Sequence, residues 1–256
     1  MDKRIVDLIN ISIRPIIRGY DEISVEFHVS DNLYTDALRF CENKRYLAEL
    51  KSFSPNEIAI SNKYNGAYLY PRDVNSIQHI LISKNQFDST NSYLSTAAHE
   101  VTHAINNTAF CKRYCGENYD SLFDHKKLEY FKTWDEYNAY KMGHLVYCTI
   151  TMPKYMGYSE SEVANEILPS QLPLRLRELE EIFSTTSNIV ERIKKALYIV
   201  AKFSVWSAIS NVDLSQVDKR LLKAMHVFDK HTSVETLDLD EIVIFLEKLV
   251  KEFSLN

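Results

Sequence analysis

The fold of this chain depends above all on one segment, Tyr93-Leu-Ser-Thr-Ala-Ala-His-Glu-Val-Thr-His-Ala-Ile-Asn-Asn107. Residues four apart lie on one face of an α-helix, so His99 and His103 can direct imidazole nitrogens at a single ion. Glu100 projects beside them, where its carboxylate can hold a water molecule. This spacing is the H-E-x-x-H pattern of zinc sites, and chance predicts only about 0.02 matches in a chain of this composition.

The residues around the motif favour a helix packed in a protein core, with Ser89, Thr90 or Ser92 as its N-cap. The small or apolar neighbours are Leu94, Ala97, Ala98, Val101, Ala104 and Ile105. The alternative is a helix with two histidines on a polar face, one of them hydrogen-bonded in the core. We prefer the metal site, because the alternative leaves two spaced histidines and an acid unexplained in a mostly apolar helix.

Composition excludes several classes of function. The chain is long enough to bury a full core, and 30 Lys+Arg against 35 Asp+Glu give a net charge of −5, which argues against a nucleic-acid partner. The cysteines, Cys41, Cys111, Cys115 and Cys148, are too few and too irregularly spaced for a disulfide framework, so we expect reduced thiols. Cys111 and Cys115 with His125 form too loose a pattern to predict a second metal site.

The apolar segments predict neither a signal peptide nor a membrane span. Residues 1–8 begin with charge and lack an apolar core followed by a cleavage site. Residues 196–209 are apolar but short and include Lys202, which is typical of a buried helix. We therefore expect a soluble cytoplasmic protein without a membrane partner, or one secreted as an effector without a signal peptide.

Before the motif, the patterns predict a small mixed or antiparallel sheet with one or two amphipathic helices in residues 31–52. The predicted strands are residues 23–29, 57–61, 67–70 and 77–83. Asn65-Gly66 is a turn signal between two of them. The last strand directly precedes the His99 helix, so we interpret it as either an edge strand that pairs with an extended peptide or an ordinary core strand.

After the motif, residues 110–132 are polar, and we expect an irregular loop that lies over the site. A second helix is predicted from Thr133, which would form a capping box with Glu136. From residue 159 onward the pattern predicts only helices, separated by Pro169, Pro173 and polar turns. These helices cover residues 159–168, 172–183, 187–210, 214–229 and 238–253.

A catalytic zinc requires a third protein ligand and an open position for water. We predict that Glu136 is this ligand, because it lies 33 residues after His103 and Ala139 follows it, which allows close helix packing. A purely capping role is the other explanation of Glu136. The alternative ligands are Asp135, Asp124, His125 and His144.

The same arrangement suggests a hydrolytic mechanism. Glu100 would take a proton from the attacking water and return it to the leaving amine. The developing oxyanion requires a donor, for which Tyr140, His144, Tyr147 and His125 are the candidates. We predict Tyr140 and His144 as catalytic residues beside Glu100.

The segment His99-Glu-Val-Thr-His103, with the later Glu136-x-x-Ala139, resembles the gluzincin branch of the zincin metallopeptidases. The short format is similar to that of ImmA/IrrE-type proteases, and the resemblance extends over about residues 77–148. It implies that His99, His103 and Glu136 bind zinc and that Glu100 is the general base.

The resemblance also has limits. Asn106 and Ala109 stand where metzincins require Gly and a third His, so that branch is excluded. The segment between the motifs is longer than in ImmA/IrrE proteins, and no pattern predicts a DNA-binding helix-turn-helix.

The expected fold is α+β, with a zincin-like metallopeptidase domain in residues 1–158. Residues 159–256 would form a mainly helical subdomain or complete the same domain. The expected function is zinc-dependent hydrolysis of peptide bonds in a protein or peptide substrate, with one Zn²⁺ per chain. The alternative is a catalytically inactive zincin-fold protein with a binding or regulatory role. No pattern indicates the oligomeric state.

Overall fold

The computed structural model describes residues 3–87 and 92–254, so the candidate caps Ser89 and Thr90 lie outside the described residues. Its fold is α+β, as the sequence predicted. It is mainly helical, and its sheet has three strands, whereas four were predicted. The chain divides into two compact units, Met1–Leu128 and Glu129–Asn256. The domain boundary predicted after residue 158 stays a prediction.

The first unit holds the whole sheet and the helix that bears the motif. Its helices are α1 (Lys3–Ile13), α2 (Leu33–Phe40), α3 (Lys44–Lys51), α4 (Pro55–Ser61), α5 (Tyr93–Tyr114) and α6 (Tyr119–Phe123). Its strands are β1 (Val25–Ser30), β2 (Gly66–Leu69) and β3 (Gln78–Ser83). Short 3₁₀ turns at Tyr20–Glu22 and Lys84–Gln86 complete it.

The sheet is mixed and has the strand order β1-β3-β2. β1 runs parallel to β3, and β2 runs antiparallel to it. Of the two interpretations of β3, the ordinary core strand is confirmed and the edge strand is wrong, because β3 is central and β2 lies at an edge. Ile80, Leu81 and Ile82 are completely buried, and such a continuous apolar run is typical of a strand that is paired on both sides and covered on both faces.

The two faces of the sheet are covered by different helices. Leu69 and Leu81 point to one face and pack with Leu33 and Ala37 of α2. The opposite face carries Ile80 and the other even-numbered residues of β3, and it is covered by α5. The motif helix therefore lies directly against the sheet.

Residues 57–61, predicted to be a strand, belong to helix α4. The Ser54 hydroxyl accepts a hydrogen bond from the Glu57 N–H, and the Glu57 carboxylate accepts one from the Ser54 N–H. Pro55 occupies the first turn, where no amide donor is needed. This capping box starts a helix, and none of its residues is buried as the alternating pattern had suggested.

The segment 110–132, predicted to be an irregular loop, is largely helical. α5 continues to Tyr114, α6 follows, and the next helix, α7 (Leu128–Val146), begins before Thr133. Phe110, Tyr119 and Leu122 are completely buried, so scattered apolar residues anchor this polar-looking segment. Thr133 is inside α7, where its hydroxyl donates to the Glu129 carbonyl, and it is not an N-cap.

The second unit is helical throughout its described part. After α7 come α8 (Met152–Tyr155), α9 (Glu160–Glu162), α10 (Leu168–Thr185), α11 (Ile189–Ile209), α12 (Lys219–Lys230) and α13 (Leu239–Ser254), with π-helical segments at Tyr147–Thr151 and Val163–Ile167. Pro169 lies in the first turn of α10 and Pro173 inside it, so the predicted break between two helices is absent. Within residues 3–87 and 92–254, no helix is long and apolar enough to span a membrane.

Candidate metal centre

His99 and His103 face each other from consecutive turns of α5. Their Nε2 atoms are 3.1 Å apart, and the two rings are nearly perpendicular, at 81°. Ligands of a tetrahedral zinc ion with bonds of 2.0–2.1 Å lie about 3.3 Å apart. Both rings are half-buried. The separation and the donor chemistry of the two imidazoles therefore fit one zinc ion.

Glu100 lies beside this pair and is held by the edge of the sheet. Its side chain is buried, with 7% of its surface exposed, and its Oε2 accepts a hydrogen bond of 2.8 Å from the backbone N–H of Tyr68 in β2. A buried carboxylate is costly unless donors compensate its charge. The amide of β2 supplies one such donor and fixes the position of the carboxylate.

Gly66 allows β2 to approach α5 this closely. A Cβ at this position would lie 2.6 Å from Thr96 Cγ2, 2.9 Å from the Leu81 carbonyl oxygen and 3.1 Å from Glu100 Cγ. Ordinary contacts between carbon atoms are about 3.5–4.0 Å. The Asn65-Gly66 pair predicted only a turn, because a requirement for close packing is not visible in the local sequence.

A buried chain of hydroxyl groups joins β2 to the helices behind it. The Tyr68 hydroxyl lies 3.0 Å from Gln78 Oε1 and 3.1 Å from the Tyr119 hydroxyl, which in turn lies 2.9 Å from Thr108 Oγ1. Burial raises the pKa of Tyr68 well above its ordinary value, so this phenol stays protonated. Tyrosine occurs 16 times in the chain, and no local signal distinguishes Tyr68 and Tyr119 from the rest.

Glu136, the predicted third ligand, lies within α7 in the second unit and is half-buried. Because α7 begins at Leu128, the alternative explanation of Glu136 as a capping residue is wrong. The adjacent Asp135 is buried. The assignment of Glu136 or Asp135 as a metal ligand stays a prediction.

Tyr140 and His144, the predicted catalytic residues, contact other side chains of the second unit. The Tyr140 ring stacks on Tyr198, with ring centroids 4.5 Å apart. His144 Nε2 accepts a hydrogen bond of 2.7 Å from the Trp206 indole N–H. Burial, with smaller contributions from Lys202 and Arg175, lowers the pKa of His144 to about 3, so its ring is neutral. Catalytic roles for Tyr140 and His144 stay predictions.

The alternative ligands in the first unit contact other groups. Asp124 forms an exposed ion pair of 2.8 Å with Arg45, and the hydrogen bond within this pair lowers the pKa of Asp124. The His125 ring packs edge-on against Phe110. Among the described residues, neither Asp124 nor His125 belongs to a potential metal-binding group.

The thiols considered for a second metal site are buried. Cys111 and Cys115 are free, and burial raises the pKa of both. At neutral pH they are therefore protonated, whereas a metal requires thiolates. His125 does not form a potential metal-binding group with them among the described residues.

The candidate centre thus rests on His99, Glu100 and His103 of α5, supported by Gly66 and Tyr68 of the edge strand. Two of these five, Gly66 and Tyr68, were not predicted as site residues. No protein-family model, curated protein or solved structure matches this chain.

Proposed function

We propose that this chain is a zinc-dependent endopeptidase of the zincin type that cleaves a protein or peptide substrate. The observation that carries the proposal is the pair of Nε2 atoms of His99 and His103, 3.1 Å apart on α5, with the buried Glu100 between them in sequence. A purely structural zinc site has no need of an acid at this position.

Zinc would be bound by His99, His103 and Glu136. The proposal is supported by the sequence, in which Glu136 follows His103 by 33 residues and Ala139 follows Glu136. It is further supported by the start of α7, which removes the capping explanation of Glu136. Three protein ligands leave one coordination position open, as a catalytic site requires.

Glu100 would be the general base. When bound, zinc would lower the pKa of a water molecule to about 7 and polarise the carbonyl group of the substrate. Glu100 would take a proton from the attacking water and deliver it to the leaving amine. Its hydrogen bond from Tyr68 keeps the carboxylate oriented before the substrate arrives. Tyr140 is the stronger predicted oxyanion donor, because His144 Nε2 already accepts the Trp206 N–H.

The substrate would lie along β2, which is the edge strand beside Glu100. The Asn65 carbonyl accepts a hydrogen bond from the Ser83 N–H, and hydrogen bonding alternates along an antiparallel pair, so the backbone groups of Gly66 and Tyr68 point away from β3. The Tyr68 N–H donates to Glu100, so the substrate would hydrogen-bond to the other backbone groups of this edge. An extended peptide can hydrogen-bond to such an edge without a requirement for a particular sequence. This mode of binding suits an endopeptidase.

The first test is the zinc content of the purified protein, measured by elemental analysis. His103→Ala and Glu136→Ala should each contain one zinc fewer per chain than the wild type, whereas the exposed His226→Ala serves as a control and should not change. If zinc is lost in His103→Ala but not in Glu136→Ala, the third ligand is Asp135 or another residue. The proposal would be refuted if the wild type and His103→Ala had the same zinc content.

The second test is Glu100→Gln, which separates an enzyme from a catalytically inactive binding protein. The amide can still accept the Tyr68 N–H, so we expect a folded protein with unchanged zinc content. Hydrolysis of a library of internally quenched peptides should fall by a factor of about 10² to 10⁴. Wild-type hydrolysis by a zinc-loaded Glu100→Gln protein would contradict the proposed mechanism.

A further inference from the structure

A second group of potential metal ligands lies on the face of the sheet opposite α5. It consists of Glu26 and His28 of β1 and His79 of β3. The parallel register places Glu26 beside His79, and the alternation of side chains places His28 on the same face. Leu81, which packs with α2, also points to this face. The sheet therefore separates this group from His99.

The ligand atoms of the group are close to tetrahedral spacing. His28 Nε2 and His79 Nδ1 are 3.0 Å apart. His28 Nε2 lies 3.9 Å from Glu26 Oε1, and His79 Nδ1 lies 3.9 Å from the other carboxylate oxygen, Oε2. Zinc ligands would lie about 3.3 Å apart, so the imidazoles would separate by about 0.3 Å and the carboxylate would approach by about 0.6 Å. The Glu26 side chain is 54% exposed and can make this movement without disturbing the core.

Neighbouring residues hold the two imidazole rings in place. The His28 ring stacks on Phe40, with ring centroids 3.9 Å apart and an interplanar angle of 20°. His79 directs its second nitrogen, Nε2, toward Glu42, whose Oε1 lies 3.9 Å away. Histidine ligands commonly donate a hydrogen bond from their second nitrogen to a carboxylate, and Glu42 would have to approach by about 0.9 Å to accept one. Both rings are only 13% exposed, so they are largely preoriented.

We propose that Glu26, His28 and His79 bind one Zn²⁺ ion, or a similar late first-row divalent cation, that joins β1 to β3. Two imidazoles and one carboxylate suit such cations, whereas Mg²⁺ and Ca²⁺ prefer oxygen ligands alone. A hydrogen bond between the two imidazoles explains their separation. It does not explain the acids on both sides of the pair, Glu26 and Glu42, which favour a cation between them.

The test is the zinc content of zinc-loaded, dialysed protein, with matched histidine variants. His28→Gln and His79→Gln should each lose one zinc per chain, and His226→Gln, at an exposed histidine of α12, should lose none. The zinc lost in His28→Gln should add to the zinc lost in His103→Ala. The double variant His28→Gln/His103→Ala should therefore contain two zinc ions fewer per chain than the wild type. If the proposed peptidase site binds no zinc, the zinc lost in His28→Gln remains measurable, so the two proposals can fail separately.

Circular dichroism shows whether the histidine variants fold. If they do not, a variant of Glu26 still tests the inference. Glu26→Gln changes an exposed side chain and should leave the fold intact. In the His103→Ala background it should weaken zinc binding by at least about tenfold, measured by competition with a chromogenic chelator, and excess Mg²⁺ should not displace the zinc. Unchanged zinc affinity in Glu26→Gln, or unchanged zinc content in folded His28→Gln and His79→Gln, would overturn the inference.

Discussion

Replacement of Gly66 by alanine should disturb the candidate centre without changing any of its chemical groups. The new Cβ would lie 2.6 Å from Thr96 Cγ2, so the two carbons must separate by about 1 Å to reach ordinary contact. Overpacking of this kind costs about 1–3 kcal/mol, and the stiffer alanine backbone offsets about 0.5–1 kcal/mol of that. We therefore expect a net loss of up to about 2.5 kcal/mol in the free energy of unfolding.

Gly66→Ala should also reduce the rate of peptide hydrolysis, and by more than the loss of folded protein alone would. Glu100 Cγ would be 3.1 Å from the new methyl group, so the carboxylate must shift as well. A displacement approaching 1 Å at a catalytic group can reduce the rate about 100-fold. Urea unfolding, zinc content and peptide hydrolysis of Gly66→Ala measure the three consequences, and we expect the zinc content to be unchanged.

Two further variants make this test specific. Thr96→Ser removes the methyl group nearest to the new Cβ and keeps the hydroxyl, so adding it to Gly66→Ala should restore part of the activity. Gly116→Asn is the control, because Gly116 has a φ of 59° and open space around it, and asparagine tolerates this conformation. The argument would be refuted if Gly66→Ala matched the wild type in both stability and hydrolysis.

Three other expectations concern stability. The pKa of His144 is about 3 in the folded protein and 6.5 in the unfolded chain, so the unfolded chain binds the proton first as the pH falls. The free energy of unfolding should therefore fall by about 1 kcal/mol per pH unit from pH 6.5 toward pH 3. Urea unfolding of His144→Gln should show a shallower slope over this range, and parallel slopes would contradict it. Asp229→Asn should cost about 1–3 kcal/mol, because the carboxylate accepts from Tyr137, Lys141 and Ser204, and an unchanged melting temperature would contradict this. Tyr119→Phe should cost about 1–2 kcal/mol by breaking the buried hydroxyl chain, and a urea midpoint equal to that of the wild type would contradict it.

Features encoded by local spacing were predictable from the sequence. His99 and His103 are one helical turn apart, so a correct helix assignment was sufficient to bring their nitrogens together. The strands β1, β2 and β3 were each located to within about two residues, because alternation and turn signals act over short distances. The helix α4 is also encoded locally, by the Ser54–Glu57 capping box, although residues 57–61 alternate in polarity as a strand does.

Features that depend on pairing between distant segments were not predictable. The central place of β3 follows from the strand order, which no local pattern specifies. The hydrogen bond from Tyr68 to Glu100 involves a backbone amide, which every residue but proline possesses, so residue type carries no signal. The contact between His28 and His79 likewise exists only because a particular parallel register aligns the two strands.

The mixed sheet has a consequence for the order in which the protein folds. Paired residues of β2 and β3 are 10 to 16 positions apart, whereas every pair between β1 and β3 is separated by 53 positions. Closing the longer loop costs about 1 kcal/mol more in chain entropy. The β2–β3 pair should therefore form early, and β1 should dock late. An interaction that joins β1 to β3 would then slow unfolding while leaving the folding rate almost unchanged.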